Sequence, residues 1–208
     1  MALVKRKQNG LAPPVDRRSR SRDLSGLLES LQSEDPTVRR WAARDLASHP
    51  EATEALFQQL MVEKAPSVRE AIFTSLTLIG TEKVVEGLIE LLRSDDASLR
   101  NEAVEAMKNL PDVVSPVIDS LLADPDSDVR IFAINVLESL KHPNVERWLI
   151  EVLEDEEHVN VCATAIDLLG EVGSEMAIPV LKRVKKRFPD EPFIQFAVDL
   201  ALKRIGES

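Results

Sequence analysis

One phrase recurs along this 208-residue chain, and its spacing limits the folds that the chain can adopt. In each copy a short polar turn leads into an apolar residue. In most copies an arginine follows it, and further apolar residues then recur at regular intervals. The first apolar residue of each copy, its anchor, lies 30 to 32 residues after the previous one. Such self-similarity indicates a repeat architecture, in which each unit stacks on its neighbours. The clear anchors are Val38, Val68, Leu99, Val129 and Val161.

The residues after each anchor follow the period of an α-helix. Apolar side chains recur four, eight and mostly eleven positions after the anchor, which places them on one helical face. A looser copy with the same spacing starts at Ile194. Asp35, Asp96 and Asp126 stand three residues before their anchors, where a helix N-cap is expected, and Pro36 suits the first helical position.

A different apolar segment precedes each anchor phrase, such as "TEKVVEGLIELLRS" before Leu99. Each period is therefore predicted to be a hairpin of a first helix and a second helix, and the anchor lies in the second. Neither helix can bury its apolar stripe alone, so we predict an all-α solenoid of about six stacked hairpins. No segment alternates with a period of two, so essentially no β-structure is expected. The predicted solenoid covers residues 23–208, with hairpins at about 23–50, 51–80, 81–110, 111–141, 142–173 and 174–208.

Charge is distributed unevenly between the first residues and the rest of the chain. Residues 1–22 carry seven arginines and lysines and one aspartate, a net charge of +6, so the remainder of a chain at −10 carries −16. With Pro13, Pro14 and no apolar stripe, this segment is predicted to be a flexible basic arm. It is either a solvated tail or a segment that docks onto an acidic partner, nucleic acid or the protein's own acidic body. Whether phosphate on Ser19 or Ser21 regulates it stays open.

An arginine follows the anchor in four of the five clear copies. At about 100° per residue it lies on the flank of the second helix, from where it can reach the capping carboxylate of a neighbouring unit. We interpret this set as a structural ladder between repeats rather than as a binding site. The ladder consists of Arg39, Arg69, Arg100 and Arg130, and Cys162 stands at the equivalent position of the fifth copy.

The phrases "DPTVRRWAARDL" and "DPDSDVRIFAINVL", together with "AIPVLKRV" in a first helix, resemble HEAT repeats of the short, bacterial phycobilisome-lyase-like class. The resemblance extends over residues 23–208. It implies an α-solenoid whose concave face binds another molecule. It does not identify that molecule, since one fold serves many functions.

Residue patterns that carry catalysis are sparse. The chain has 7 glycines and no Gly-rich loop for phosphate, and its three histidines form no pair with metal-ligand spacing. It departs in this from the deoxyhypusine hydroxylase type of HEAT enzyme, whose metal site uses His-Glu pairs. Cys162 has no histidine placed to activate it and is predicted to be a buried, inert thiol. We therefore predict no catalytic residue, no metal and no cofactor.

Nucleic acid and membranes are not expected partners of the repeat region. A body with a charge of −16 repels phosphate, whereas the DNA-glycosylase type of HEAT protein needs a positive face. No apolar run approaches the ~18 residues of a membrane span. A single cysteine and an N-terminus without an apolar core of a secretory signal favour a cytoplasmic protein. The oligomeric state stays open.

The remaining surface favours partner binding. Positions two, three and six residues after each anchor are predicted to point outward from the second helices, and several carry large apolar or charged groups suited to a binding hot spot. The alternative for Trp41 is contact with the arm, and for Phe132 it is packing on the next repeat. The candidate partner-binding residues are Trp41, Arg44, Glu105, Ile131, Phe132 and Asn135.

These observations favour a non-enzymatic adaptor or scaffold. It is expected to bind a basic or mixed-charge protein surface along its concave face, in a setting such as a bacterial signalling or assembly complex. The resemblance implies an alternative, a subunit of a bilin lyase or a related chromophore-handling factor. The absence of tyrosine and an aromatic content of 4% weigh against a tetrapyrrole site.

Overall fold

A computed structural model describes residues 23–206, and the predicted arm, residues 1–22, lies outside the described residues. Across 23–206 all regular structure is helical and no strand is present, which confirms the predicted all-α solenoid. The helices pair into hairpins in chain order. They are α1 (Leu24–Leu31) with α2 (Pro36–Asp45), α3 (Thr53–Val62) with α4 (Pro66–Ile79), α5 (Glu82–Leu91) with α6 (Ala97–Lys108), α7 (Pro111–Val114) and α8 (Ile118–Leu122) with α9 (Ser127–Leu137), α10 (Val145–Asp155) with α11 (Val159–Val172), and α12 (Ile178–Arg187) with α13 (Pro192–Gly206).

The predicted caps start the second helices. Asp35, Asp96 and Asp126 each accept a hydrogen bond from the backbone N–H two residues further on, at 2.8–2.9 Å. Each bond satisfies one of the N–H groups that the first helical turn leaves unpaired. Pro36 and Pro66 occupy the first position of α2 and α4, where a residue without an N–H loses nothing. The caps that the sequence indicated are thus confirmed.

Pro116 divides the first helix of the fourth hairpin. A 3₁₀ turn, Ser115–Val117, separates α7 from α8. Proline lacks the N–H that would continue the α-helical ladder, and its ring clashes with the preceding turn. The hairpin nevertheless packs in line with the others.

Two layers of helices build the solenoid. The second helices α2, α4, α6, α9, α11 and α13 contact one another in succession, and the first helices form the other layer. The apolar stripes of both layers meet in one continuous core. At the eighth position after the anchor the side chains are at most 1% exposed, and each contributes about 1.5–3 kcal/mol by burial. They are Leu46, Leu76, Met107, Leu137 and Leu169.

Gly80 ends α4 in the left-handed region, with φ of 55°. Its N–H donates to the carbonyl oxygen of Leu76 at 2.9 Å, which closes the last helical turn. A side chain at this position would strain the backbone and meet Leu110. The turn directs the chain back into α5. None of the helices in the described part of the chain is long and apolar enough to cross a membrane.

Candidate protein-binding face

Arg39 joins the first two hairpins through a two-pronged ion pair. Its Nε and Nη2 atoms donate to the two carboxylate oxygens of Glu63, both at 2.7 Å, and its Nη1 donates to the backbone oxygen of Ser33 at 2.8 Å. The Glu63 side chain is 1% exposed and also accepts from the N–H of Ala65 and the amide of Gln59. The bond from Arg39, with these other donors, lowers the pKa of Glu63 to about 2. The carboxylate therefore stays ionised inside the stack.

Arg130 repeats this arrangement between the fourth and fifth hairpins. Its Nε and Nη2 atoms donate to the carboxylate of Glu156 at 2.7 and 3.0 Å. Burial of Glu156 opposes its ionisation, but Arg130 and backbone donors outweigh that effect and lower its pKa. Arg69 contacts two carboxylates of the third hairpin, Glu102 at 3.0 Å and the capping Asp96 at 3.3 Å. These three arginines have the geometry of a ladder between repeats.

Arg100 differs from the other members of the set. Its Nη1 donates to the backbone oxygen of Ser94 at 2.6 Å, and within residues 23–206 it meets no carboxylate of the next hairpin. Arg93 forms the ion pair at that joint, with Asp124. It stays a prediction that all four arginines stabilise the stack rather than bind a partner.

The second helices leave grooves on their common outer surface, which we call the second-helix face. One groove of about 470 Å³ lies between α4 and α6 and is called the α4/α6 groove. Phe73 and Ala106 line it and are buried, whereas Leu78 lines it and is 70% exposed. The hydroxyls of Thr74 and Thr77, also in the lining, donate to α4 carbonyls four residues earlier at 2.8 and 2.9 Å. The lining is therefore mostly apolar and suits an apolar side chain of a partner.

Carboxylates border this apolar lining. Glu70 extends from α4, and Glu102 and Glu105 extend from α6. Lys108 lies 3.2 Å from Glu105 and 3.4 Å from Glu138, which directly follows α9. Burial of Lys108 opposes its charge, but the two carboxylates outweigh this effect and raise its pKa. One lysine is thus shared between two glutamates, and the rim keeps an excess of negative charge.

A second groove, of about 220 Å³, lies between α9 and α11. Its polar lining consists of Asn135, Glu138, Thr164, Asp167 and Glu171. Burial of Asp167, strengthened by the charge of Glu171, raises its pKa, although Arg204 acts in the opposite direction. The repulsion between these carboxylates indicates a site that gains from a cationic neighbour.

The second-helix face is acidic in the middle and basic at both ends. α2 exposes Arg40 and Arg44, and α13 exposes Lys203 and Arg204. The helices between them carry the carboxylates of the two grooves. A ligand that lies along the middle of the face is favoured if it is cationic.

The candidate partner residues do not form one cluster. Trp41 is 52% exposed, and the Arg44 guanidinium lies 5.4 Å from its ring centroid as a cation–π pair. These two residues belong to the basic end. Glu105 lines the α4/α6 groove, whereas Asn135 lines the groove between α9 and α11.

Ile131 and Phe132 are less accessible than the helical pattern indicated. Both are half-buried and pack against the core instead of standing free on the surface. The reason is that the adjoining second helices cover the flanks of α9, which the pattern of a single helix does not show. Neither residue lines the groove between α9 and α11.

Leu78 and Phe73 were missed by the sequence reasoning. Leu78 stands ten positions after its anchor and Phe73 five, so neither belongs to the predicted outward set. A signal was available for Leu78. The same position carries Asn109 in the third hairpin and Ser139 in the fourth, so an apolar side chain there departs from the repeat pattern.

Two observations on the described residues concern metal-binding and nucleophilic groups. Across residues 23–206 no group of three or more His, Cys, Asp or Glu side chains is placed to hold a metal ion. Cys162 is fully buried. Burial, and then the charge of Glu156, raise the pKa of its thiol to about 11, so the reactive thiolate is scarce at neutral pH.

Helical hairpins stacked in two layers define an α-solenoid. The chain belongs to the HEAT-repeat family, because the family described as HEAT repeats matches residues 24–108 and 114–195. The predicted resemblance to HEAT repeats is confirmed.

Two curated relatives show where the chain lies within this family. Protein YibA of Escherichia coli (strain K12) is 32% identical over 146 residues, which cover 68% of this chain and 50% of the relative. The bilin biosynthesis protein PecE of Mastigocladus laminosus is 29% identical over 154 residues, which cover 71% of this chain and 56% of the relative. The chain thus spans about half the length of these two proteins. The match to PecE agrees with the phycobilisome-lyase-like class that the repeats resemble.

Among solved structures, the archaeal HEAT-like repeats protein from Thermococcus onnurineus NA1 aligns with a TM-score of 0.46 at 15% identity. The alignment covers 88% of this chain and 87% of that one.

Proposed function

We propose that this HEAT-repeat protein is a binding scaffold that holds a cationic, partly apolar protein segment on the middle of its second-helix face. One arrangement carries the proposal. In the α4/α6 groove the apolar lining of Phe73 and Leu78 lies beside the carboxylates of Glu70 and Glu105. Such a combination suits a segment with apolar and basic side chains close together.

The two parts of the groove make different contributions. Covering the exposed side chain of Leu78 contributes about 1–2 kcal/mol to binding before ordering costs. The carboxylates act mainly on association rate and on selection of the partner, and their effect declines as salt rises. A segment that continues past α6 reaches Glu138 and Asp167 in the next groove.

A designed probe tests the proposal without knowledge of the natural partner. The probe is a fluorescent helical peptide with leucines on one face and lysines on the other, and its binding to the full chain is followed by anisotropy. Glu70→Gln with Glu105→Gln is expected to weaken binding about five- to tenfold. Leu78→Ser is expected to weaken it by a similar factor, since it removes the exposed apolar contact.

Glu86→Gln with Glu90→Gln provides a matched control. Both residues are exposed on α5, in the layer of first helices, so this variant removes the same charge away from the groove. It should bind the probe as the unaltered chain does. An equal loss in the control, or equal binding of a peptide with glutamates in place of the lysines, would contradict the proposal.

A bilin lyase subunit is the second candidate, and the similarity to PecE favours it. A bilin carries propionates, so the basic ends of the second-helix face suit it better than the acidic middle. Arg40 and Arg44 stand at one of these ends. The test is incubation of the chain with a free bilin and a phycobiliprotein subunit that lacks its chromophore. Bilin that stays on the subunit after denaturation, above the amount formed without the chain, would support this candidate.

A further inference from the structure

The α4/α6 groove has a candidate occupant within the same chain. We infer that residues 1–22 bind this groove and so compete with the cationic segment of a partner. The inference rests on the proposed function for the role of the groove, but the occupant is argued from the chain itself.

Charge complementarity is the first argument. Residues 1–22 have a net charge of +6, and the rest of the chain carries −16. The carboxylates of Glu70 and Glu105 border the α4/α6 groove. Of the cations near it, Lys108 is shared between Glu105 and Glu138, and Arg69 between Glu102 and Asp96. The groove therefore keeps a net negative charge, which attracts a cationic segment.

Reach is the second argument. The segment joins the solenoid at Asp23, which caps α1. Packed helices lie about 8–10 Å apart, and α4 and α6 lie two and three helix spacings from α1 along the stack. The 12 residue steps from Leu11 to Asp23 extend to about 40 Å, which is enough to cover that distance.

The position of the groove is the third argument. α2 lies nearest to the start of the solenoid, but it exposes Arg40 and Arg44, which repel a basic segment. The first acidic part of the second-helix face is therefore the α4/α6 groove. The segment also contains apolar Leu11 and Val15, which precede the basic run "RRSRSR" and match the apolar lining beside the carboxylates.

A spin label on residues 1–22 tests this inference in the full chain. Ser19→Cys introduces a reactive thiol, whereas Cys162 is fully buried and its thiol pKa of about 11 protects it from labelling. Paramagnetic broadening of the amide signals of Thr74, Leu78 and Asn109 is expected at low salt. The broadening should disappear in 1 M salt, where the screening length is ~3 Å.

The groove variants identify the binding surface. Glu70→Gln with Glu105→Gln should remove most of the broadening, and Glu86→Gln with Glu90→Gln should leave it unchanged. Binding within one chain is separated from binding between two copies by mixing spin-labelled protein with isotope-labelled protein that carries no spin label. Broadening in that mixture shows binding to a second copy. Absent broadening at the groove, broadening spread over both layers, or broadening only between copies would overturn the inference.

The probe peptide keeps this inference distinct from the proposed function. Substitution of Arg17, Arg18, Arg20 and Arg22 by serine should raise probe affinity about threefold or more, because an internal competitor is weakened. If the probe binds the groove but the label causes no broadening there, only the inference fails. If the label broadens the groove signals but the arginine-to-serine variant does not bind the probe, only the proposed function fails.

Discussion

Arg187 donates a hydrogen bond from Nη1 to the backbone carbonyl oxygen of Glu156, at 2.7 Å. The arginine lies at the end of α12, one hairpin further along the chain than the carbonyl. In the first, third and fourth hairpins the equivalent carbonyl accepts from the arginine that stands six residues later, in the pairs Ser33–Arg39, Ser94–Arg100 and Asp124–Arg130.

In the fifth hairpin Cys162 stands in the place of that arginine. Its Sγ lies 3.4 Å from the same Glu156 oxygen. The guanidinium of Arg187 also donates to Leu153 at 3.2 Å and to Glu154, so it satisfies the last carbonyls of α10. A residue of the following hairpin thus replaces a contact that the repeat pattern lost.

The first prediction follows from this replacement. Arg187→Ala should lower the free energy of unfolding by about 1–2 kcal/mol, because it leaves several carbonyl groups without a charged donor. Cys162→Arg should recover part of this loss in the Arg187→Ala background but destabilise the unaltered chain, where two guanidinium groups would meet. Urea unfolding of the two single variants and the double variant measures the coupling. Lys186→Ala, at an exposed position beside Arg187, should have little effect. Additive effects of the two substitutions would show that the two positions do not share a site.

The second prediction distinguishes members of the arginine set. Arg130→Ala should lower stability by about 2 kcal/mol, since it leaves the carboxylate of Glu156, 9% exposed, without its partner. Arg100→Ala should cost less than about 1 kcal/mol, because this arginine bonds one carbonyl group. The urea midpoint of each variant is measured and converted to a free energy of unfolding with a common m-value. Equal losses would show that the ion pair with Glu156 adds nothing beyond the carbonyl contact.

The third prediction concerns pH. The pKa of Glu63 falls from 4.5 to about 2 on folding, so the folded state binds this proton less readily. The stabilisation, roughly 3 kcal/mol, is complete above pH 4.5 and is lost as the pH falls through 4.5 toward 2. Glu63→Gln should therefore be markedly less stable than the unaltered chain near neutral pH, and the gap should narrow as the pH falls. Thermal unfolding of both proteins at about pH 7 and pH 3.5 tests this. A gap that stays constant would assign the loss to packing and not to the charge.

The fourth prediction concerns the half-buried apolar pair of α9. Ile131→Ser with Phe132→Ser should lower stability by about 2–4 kcal/mol, because both side chains pack against the core. Leu78→Ser should change stability by less than about 0.5 kcal/mol, since this residue is 70% exposed. Melting temperatures of the two variants give the comparison. An unchanged melting temperature for the α9 variant would restore both residues as free surface groups suited to partner binding.

Local chemistry in the sequence was sufficient to predict much of this fold. The helical period and the capping Asp35, Asp96 and Asp126 depend on interactions within one or two helical turns. The repeat length follows directly from the spacing of the anchors. The net charge and its division between residues 1–22 and the rest of the chain are also properties of the sequence alone. The helical period and the repeat length also predicted the hairpins, because the two apolar stripes of each unit require a neighbouring unit on each side.

The tertiary structure decided which surfaces stay open. Helical period gives the face of one helix on which a side chain lies, but the side-chain volumes of adjacent hairpins determine how far neighbours cover that face. Phe132 therefore became half-buried, whereas Leu78 remained at the edge of a groove whose other wall comes from α6. Arg187 reaches a carbonyl 31 residues earlier in the chain, a contact that no local pattern contains. It exists because stacking places the end of α12 beside the end of α10, and an unpaired carbonyl there favours the nearest charged donor.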